Sequence, residues 1–339
     1  MNADAKGWRD LLQDMSELVL ENTVRDNNHR LTRYYILKEL GEPPEHDPEV
    51  VSLRDDLLCK IVDSQMENGS WNNKVYDYEK GTTHQVMTLI DLGMNGKDEP
   101  IQKAAAYLVQ FQAASGAFVQ VSPSCGVEAN LIHTTAVVLA LARAGYARDL
   151  RIIKAGEWLC SWQQKDGRFI SPDAQRRTTE GGYPYPYCGL HATCNTLLGL
   201  SALDPMQKSH ALMRGAHYLF SLYGYKYTIH TDINPPAYFH VPDEPERVPF
   251  EGAWYDPRVV PPEAGVIPQH DADRRVEVLT TQHVLETLSV LGYGLENQTV
   301  KNGYDRLLNL IAKEDISLST IMVVKRLHQP FSAFSFHGH

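Results

Sequence analysis

Gln65-Met66-Glu67-Asn68-Gly69-Ser70-Trp71, Gln112-Ala113-Ala114-Ser115-Gly116-Ala117-Phe118 and Gln163-Gln164-Lys165-Asp166-Gly167-Arg168-Phe169 spell one pattern three times, Q-x3-G-x-W/F. The copies start 47 and then 51 residues apart, which is the signature of a repeat architecture. A second pattern, K/R-A/G-x-x-Y/W-L, precedes two of them, at Lys103 to Leu108 and Lys154 to Leu159. It returns at Arg214 to Leu219 and more loosely at Asn302 to Leu307. Both patterns punctuate helical apolar spacing with glycine, where a helix C-terminus belongs.

Between these lies a second class of helix, apolar nearly all round and therefore buried on every side. The stretch from Thr83 to Gly93 aligns with that from Thr281 to Gly292; His133 to Gly145 and His191 to Leu203 belong to the same class. Weaker copies run from Leu31 to Gly41 and from Ile316 to Leu327. Six buried helices alternating with amphipathic ones predict an all-α fold, an α/α toroid of about six helical hairpins. The expected organisation is one domain over residues 1–339. The repeat lapses from about 223 to 275, a segment holding nine of the nineteen prolines and read as an insertion or lid.

Composition narrows the function classes. The chain has 32 Lys and Arg against 42 Asp and Glu, a net charge of −10, and no basic run. Nucleic acid is not an expected partner, because phosphate binding needs clustered cations. The longest continuously apolar stretch, Ala136–Ala142, is too short for a bilayer, so no transmembrane segment is expected. Five cysteines without a pairing pattern, and a start lacking a secretion signal, suit the cytoplasm.

The Q-x3-G-x-W/F repeats resemble the QW motifs of squalene–hopene cyclases and the β subunits of protein prenyltransferases, over roughly residues 31–327. The resemblance implies a cavity at the N-terminal ends of the inner helices. In those cyclases a D-x-D-D-T-A-V-V segment there holds the proton donor. Here the stretch is Leu131-Ile132-His133-Thr134-Thr135-Ala136-Val137-Val138, with His133 where the middle Asp stands. An imidazole is a poor acid for protonating an alkene but suits general acid–base work near neutral pH. The D-x-C zinc signature of the prenyltransferases and a D-D-x-x-D cluster for a diphosphate are both missing from the sequence. A looser similarity is to linalool dehydratase/isomerase-type enzymes, whose K-G-H segment and paired cysteines resemble Lys80-Gly81-Thr82-Thr83-His84 and the Cys125 and His133 positions. It implies water or proton transfer on a small apolar molecule.

The expected catalytic residues are His133 and His84 with Cys125, Glu128, His191 and Cys188. Tyr187, His283, Asp271, Asp273 and Trp254 are the expected substrate-binding residues. His84, His133, His191 and His283 are each expected near the start of one inner helix. The Asp pair of His270-Asp271-Ala272-Asp273 is placed just before the fifth. The favoured function is a cofactor-free lyase or isomerase on a small hydrophobic, terpenoid-like substrate. Two alternatives stay open: a zinc-dependent transferase or hydrolase using Cys188 and His191, spaced as metal ligands on a helix, and a non-catalytic toroid that binds lipid or a partner.

Overall fold

The computed structural model describes residues 10–11, 13–14, 34–35, 38, 48–77, 80–122, 126–170, 190–203, 205–227, 247–256, 269–311 and 318–328. The chain is mostly helical. The described helices are α1 (Pro48–Asp63), α2 (Thr82–Asp91), α3 (Glu99–Val109), α4 (Leu131–Leu141), α5 (Leu150–Ser161), α6 (Leu190–Ser201), α7 (Pro205–Ser221), α8 (Gln269–Val290), α9 (Gln298–Leu310) and α10 (Leu318–His328). Two small sheets interrupt them. Strands β1 (Val119–Ser122) and β2 (Gly126–Ala129) form a hairpin, and β3 (Tyr225–Tyr227) lies between β4 (Arg247–Pro249) and β5 (Trp254–Tyr255). No helix among the described residues is long and apolar enough to cross a membrane.

Contacts sort the helices into two series. The even-numbered helices touch one another in order, α2 to α4, α4 to α6, α6 to α8 and α8 to α10. Among the odd-numbered ones, α1 and α3 pack on α2, α5 on α4 and α6, α7 on α6, and α9 on α8. The sequence pattern contributes: α4 and α6 are buried on most faces, while α3, α5 and α9 bury one stripe each. The core fills the space between the two series, from Leu108 and Phe118 through Leu159 and Leu197 to Leu288 and Val324. The expected copy at residues 31–41 lies mostly outside the described residues; there Tyr34 and Tyr35 are helical and buried.

The three repeats fold into three superimposable turns. Gln65 Nε2 donates to the carbonyls of Gly69 (2.9 Å) and Pro100 (2.8 Å). Gln112 does the same to Gly116 (3.0 Å) and Arg151 (2.7 Å), and Gln163 to Gly167 (2.9 Å) and Ala211 (2.8 Å). One amide thus closes its own turn and staples it to the next odd helix. Gly69, Gly116 and Gly167 sit at φ of 86°, 100° and 97°, where a side chain is strained. A Cβ there would also lie 2.3, 2.7 and 2.1 Å from the carbonyl oxygens of Lys103, Lys154 and Arg214. These are the basic residues of the second sequence pattern, so the two patterns are the two sides of one contact.

The segment expected as an interruption contains a fourth turn. Trp254 is fully buried and its indole N–H donates to the Leu219 carbonyl at 2.8 Å, as Trp71 donates to Ile61 at 2.8 Å. Tyr223 stands where glutamine stands in the other repeats. The Gly224 N–H donates to the Ala253 carbonyl (2.9 Å), matching Met66 to Ser70, Ala113 to Ala117 and Gln164 to Arg168. Glutamine and aromatic are six residues apart in the first three turns, and Tyr223 and Trp254 are 31 apart. The extra 25 residues therefore enter inside the turn. The interruption ends earlier than expected, because α8 already begins at Gln269.

Candidate active site on the even helices

A buried threonine fixes a common register for the even helices. The N–H groups of Trp71, Phe118 and Phe169 donate to Oγ1 of Thr82 (3.1 Å), Thr134 (2.9 Å) and Thr193 (3.0 Å). In the fourth repeat Thr281 Oγ1 donates to the Trp254 carbonyl at 3.3 Å. Thr320 of α10 is buried and accepts from Gln282 Nε2 at 2.7 Å.

Counting from these threonines, α4, α6 and α8 show their less buried faces at the same steps. Between Leu131 and Ala142 only Ile132, Ala136 and Leu139 are not buried. Between Leu190 and Leu200 they are His191, Asn195 and Leu198; between Val276 and Ser289 they are Leu279, His283 and Glu286. All fall two residues before, two after and five after the threonine, a spacing that defines one helix face. On α2 the same steps give exposed His84 and half-buried Met87. The stripe is apolar along α4 and carries imidazole, amide and carboxylate on the other helices.

This register separates the expected histidines. His84, His191 and His283 lie on the stripe. His133 does not: it immediately precedes Thr134, is 9 % exposed, and has its ring 5.4 Å from that of Tyr76. Its backbone N–H is capped by Asn130 Oδ1 at 3.1 Å. Burial lowers its pKa to about 4, so the ring is neutral at pH 7. Its Nδ1 has no hydrogen-bond partner among the described residues.

His191 and His283 stack, with ring centroids 4.8 Å apart and planes at 26°. His191 belongs to the first turn of α6, as expected. His283 was expected near a helix start but lies fourteen residues into α8, because that helix extends back through the acidic stretch. Its pKa falls to about 3, first through burial and then through the neighbouring His191. His283 Nε2 is shut off from solvent and has no partner among the described residues.

The other expected residues divide in three. Asp271 and Asp273 lie inside α8, not before it, since nothing in that stretch breaks a helix; Asp273 is exposed and accepts from the Tyr255 hydroxyl at 2.9 Å. Trp254 belongs to the core as the aromatic of the fourth turn. Glu128 is paired with Gln120 in the β1–β2 hairpin that leads into α4. Cys125, Tyr187 and Cys188, and the side chains of Glu128 and Asp271, lie outside the described residues. Cys194 is fully buried, and burial pushes its thiol well above the usual range, so it remains protonated.

Asn195 and Glu286 were not singled out by sequence. The signal was present as their spacing from Thr193 and Thr281, but that spacing means nothing until the threonine contacts fix the register. No group of three or more His, Cys, Asp or Glu among the described residues is arranged to hold a metal ion. No protein-family model matches this chain, and no curated protein matches it.

Proposed function

We propose that the even helices close into the inner ring of an α/α toroid like that of the squalene–hopene cyclases and prenyltransferase β subunits. Their common stripe lines its lumen. The chain then acts there as a general acid–base enzyme, a lyase or isomerase for a small hydrophobic, terpenoid-like molecule. The observation that carries this reading is the shared register of His84, His191 and His283 on the less buried face of three helices. Proton transfer is assigned to His84, which is exposed and exchanges protons with solvent. His283, held neutral by burial, is assigned to hydrogen bonding with the substrate. Glu286 and Asn195 supply further polar contacts, and the α4 side supplies an apolar wall that shapes the substrate. His133, behind the stripe against Tyr76, positions the start of α4 and does not touch substrate.

The test is turnover of a panel of small unsaturated alcohols and alkenes in heavy water, read by mass spectrometry for hydration, dehydration or double-bond migration. Wild-type protein should incorporate deuterium into product. The His84→Ala and His283→Gln variants, folded as judged by circular dichroism, should lose at least a hundred-fold in rate. Undiminished turnover in both variants would sink the assignment.

A further inference from the structure

Two copies of the same three-helix unit differ by one aromatic ring. In α3–α4–α5 and in α7–α8–α9 the even helix is followed by a left-handed glycine and a tyrosine, Gly145-Tyr146 and Gly292-Tyr293, with both glycines at φ 97°. Lys103 and Arg214 hold the same place in α3 and α7, so Val109 of the first unit corresponds to Phe220 of the second. Phe220 sets its ring edge-on to Tyr293, with centroids 5.0 Å apart and planes at 83°. Val109 has no ring to offer Tyr146, and the two line a cavity of about 310 Å³.

The rest of the wall is alike in both units. Ala105, Leu141 and Ile152 around the cavity answer to Ala216, Leu288 and Val300, and all six are buried. The Tyr146 hydroxyl donates to the Gly96 carbonyl at 3.1 Å, which holds the tyrosine in place as part of the wall. An apolar cavity of about 150 Å³ is enough for benzene. The space here takes one ring with a short substituent, and it opens to solvent past exposed Ala106 and Arg151.

The charges at the mouth cancel. Arg151 Nε and one terminal guanidinium nitrogen donate to the two carboxylate oxygens of Asp149, at 3.0 and 2.5 Å. A charged ligand would meet a like charge as near as an opposite one, so the site favours an uncharged molecule. None of the lining residues belongs to the stripe on the even helices, and the cavity is separate from the lumen proposed above.

We infer that this cavity binds an uncharged small molecule through a single aromatic ring, seated against Tyr146 as Phe220 is seated against Tyr293.

The experiment titrates the full chain, 13C-labelled at its isoleucine and valine methyls, with benzyl alcohol, cyclohexylmethanol and benzoate. Benzyl alcohol should shift the methyl resonances of Ile152 and Val109, and its ring protons should show nuclear Overhauser contacts to them. It should bind about five-fold tighter than cyclohexylmethanol, the factor that an edge-to-face ring pair allows, and tighter than benzoate by at least as much. Val109→Phe supplies the ring from within, and binding should then fall at least ten-fold. Equal binding of benzyl alcohol and cyclohexylmethanol, a preference for benzoate, or undiminished binding in Val109→Phe would each overturn the inference. So would contacts to methyls elsewhere, or no binding at saturation. Should Val109→Phe fail to fold, the Ile152 contacts and the probe preference of the wild-type protein decide alone.

Discussion

The first three turns and the fourth reach the same geometry by different means. In the first three, one glutamine amide holds two carbonyls, and a glycine lets the next helix approach within contact of its backbone. In the fourth, Tyr223 replaces the glutamine, and its ring meets Trp254 edge-on at 5.0 Å. Glu277 completes the turn from α8: its carboxylate accepts from the Ala253 N–H (3.1 Å) and pairs with Arg306 through both oxygens (2.8 and 3.0 Å). The pair is worth having because Glu277 is 4 % exposed and a lone buried carboxylate would be strongly destabilising. The buried aromatic and its threonine partner are what the four turns share. The glutamine is one of two ways to hold them, and the second tolerates 25 inserted residues.

The comparison breaks most sharply at the glycines. Gly167→Ala places a Cβ 2.1 Å from a backbone carbonyl at positive φ and should cost about 3 to 5 kcal/mol, read from urea unfolding. Gly252→Ala meets the Phe250 ring and the Glu277 carboxylate, which are side chains, and should cost about 1 to 2 kcal/mol. Equal losses would mean that the fourth turn is built like the others after all.

Acid tests the next difference. Before its threonine the second repeat has His133, and the fourth has Thr280, whose Oγ1 accepts from the Asp256 N–H at 3.3 Å. With the His133 pKa near 4 in the folded protein and about 6.5 when unfolded, the unfolded chain takes up the proton first. Stability from this residue is complete above about pH 6.5 and is lost as pH falls toward 4, by about 3 kcal/mol. His133→Thr, which makes the second repeat like the fourth, should make the pH profile between 7 and 4 shallower, with buried His283 still contributing slope there. An unchanged slope would remove His133 as its source.

The smallest expected effect distinguishes the staples themselves. Gln163→Ala forfeits two hydrogen bonds and should cost about 1 to 2 kcal/mol, whereas Tyr223→Phe keeps the ring against Trp254 and should cost less than about 0.5 kcal/mol. Thermal melts of both variants rank them, and a larger loss at Tyr223 would reverse the account.

Local chemistry was legible in the residues alone. The glutamine–glycine–aromatic triplets named the turns, the apolar runs named the even helices, and His84 and His191 fell in the first helical turns where spacing put them. Each of these signals lies within a dozen residues, so pattern and propensity suffice to read it. The fourth turn was hidden because its two halves are 31 residues apart and its glutamine is a tyrosine. His133 looked like the catalyst because it aligned with a motif, yet one step along a helix turns a side chain by about 100°, enough to carry it off the stripe. The tertiary structure alone decided which side of each even helix is left uncovered, which imidazole stacks on which, and which nitrogens are left without partners. Those depend on neighbouring helices that sequence separates by fifty or more residues, and a hydrogen bond not made leaves no mark on the chain.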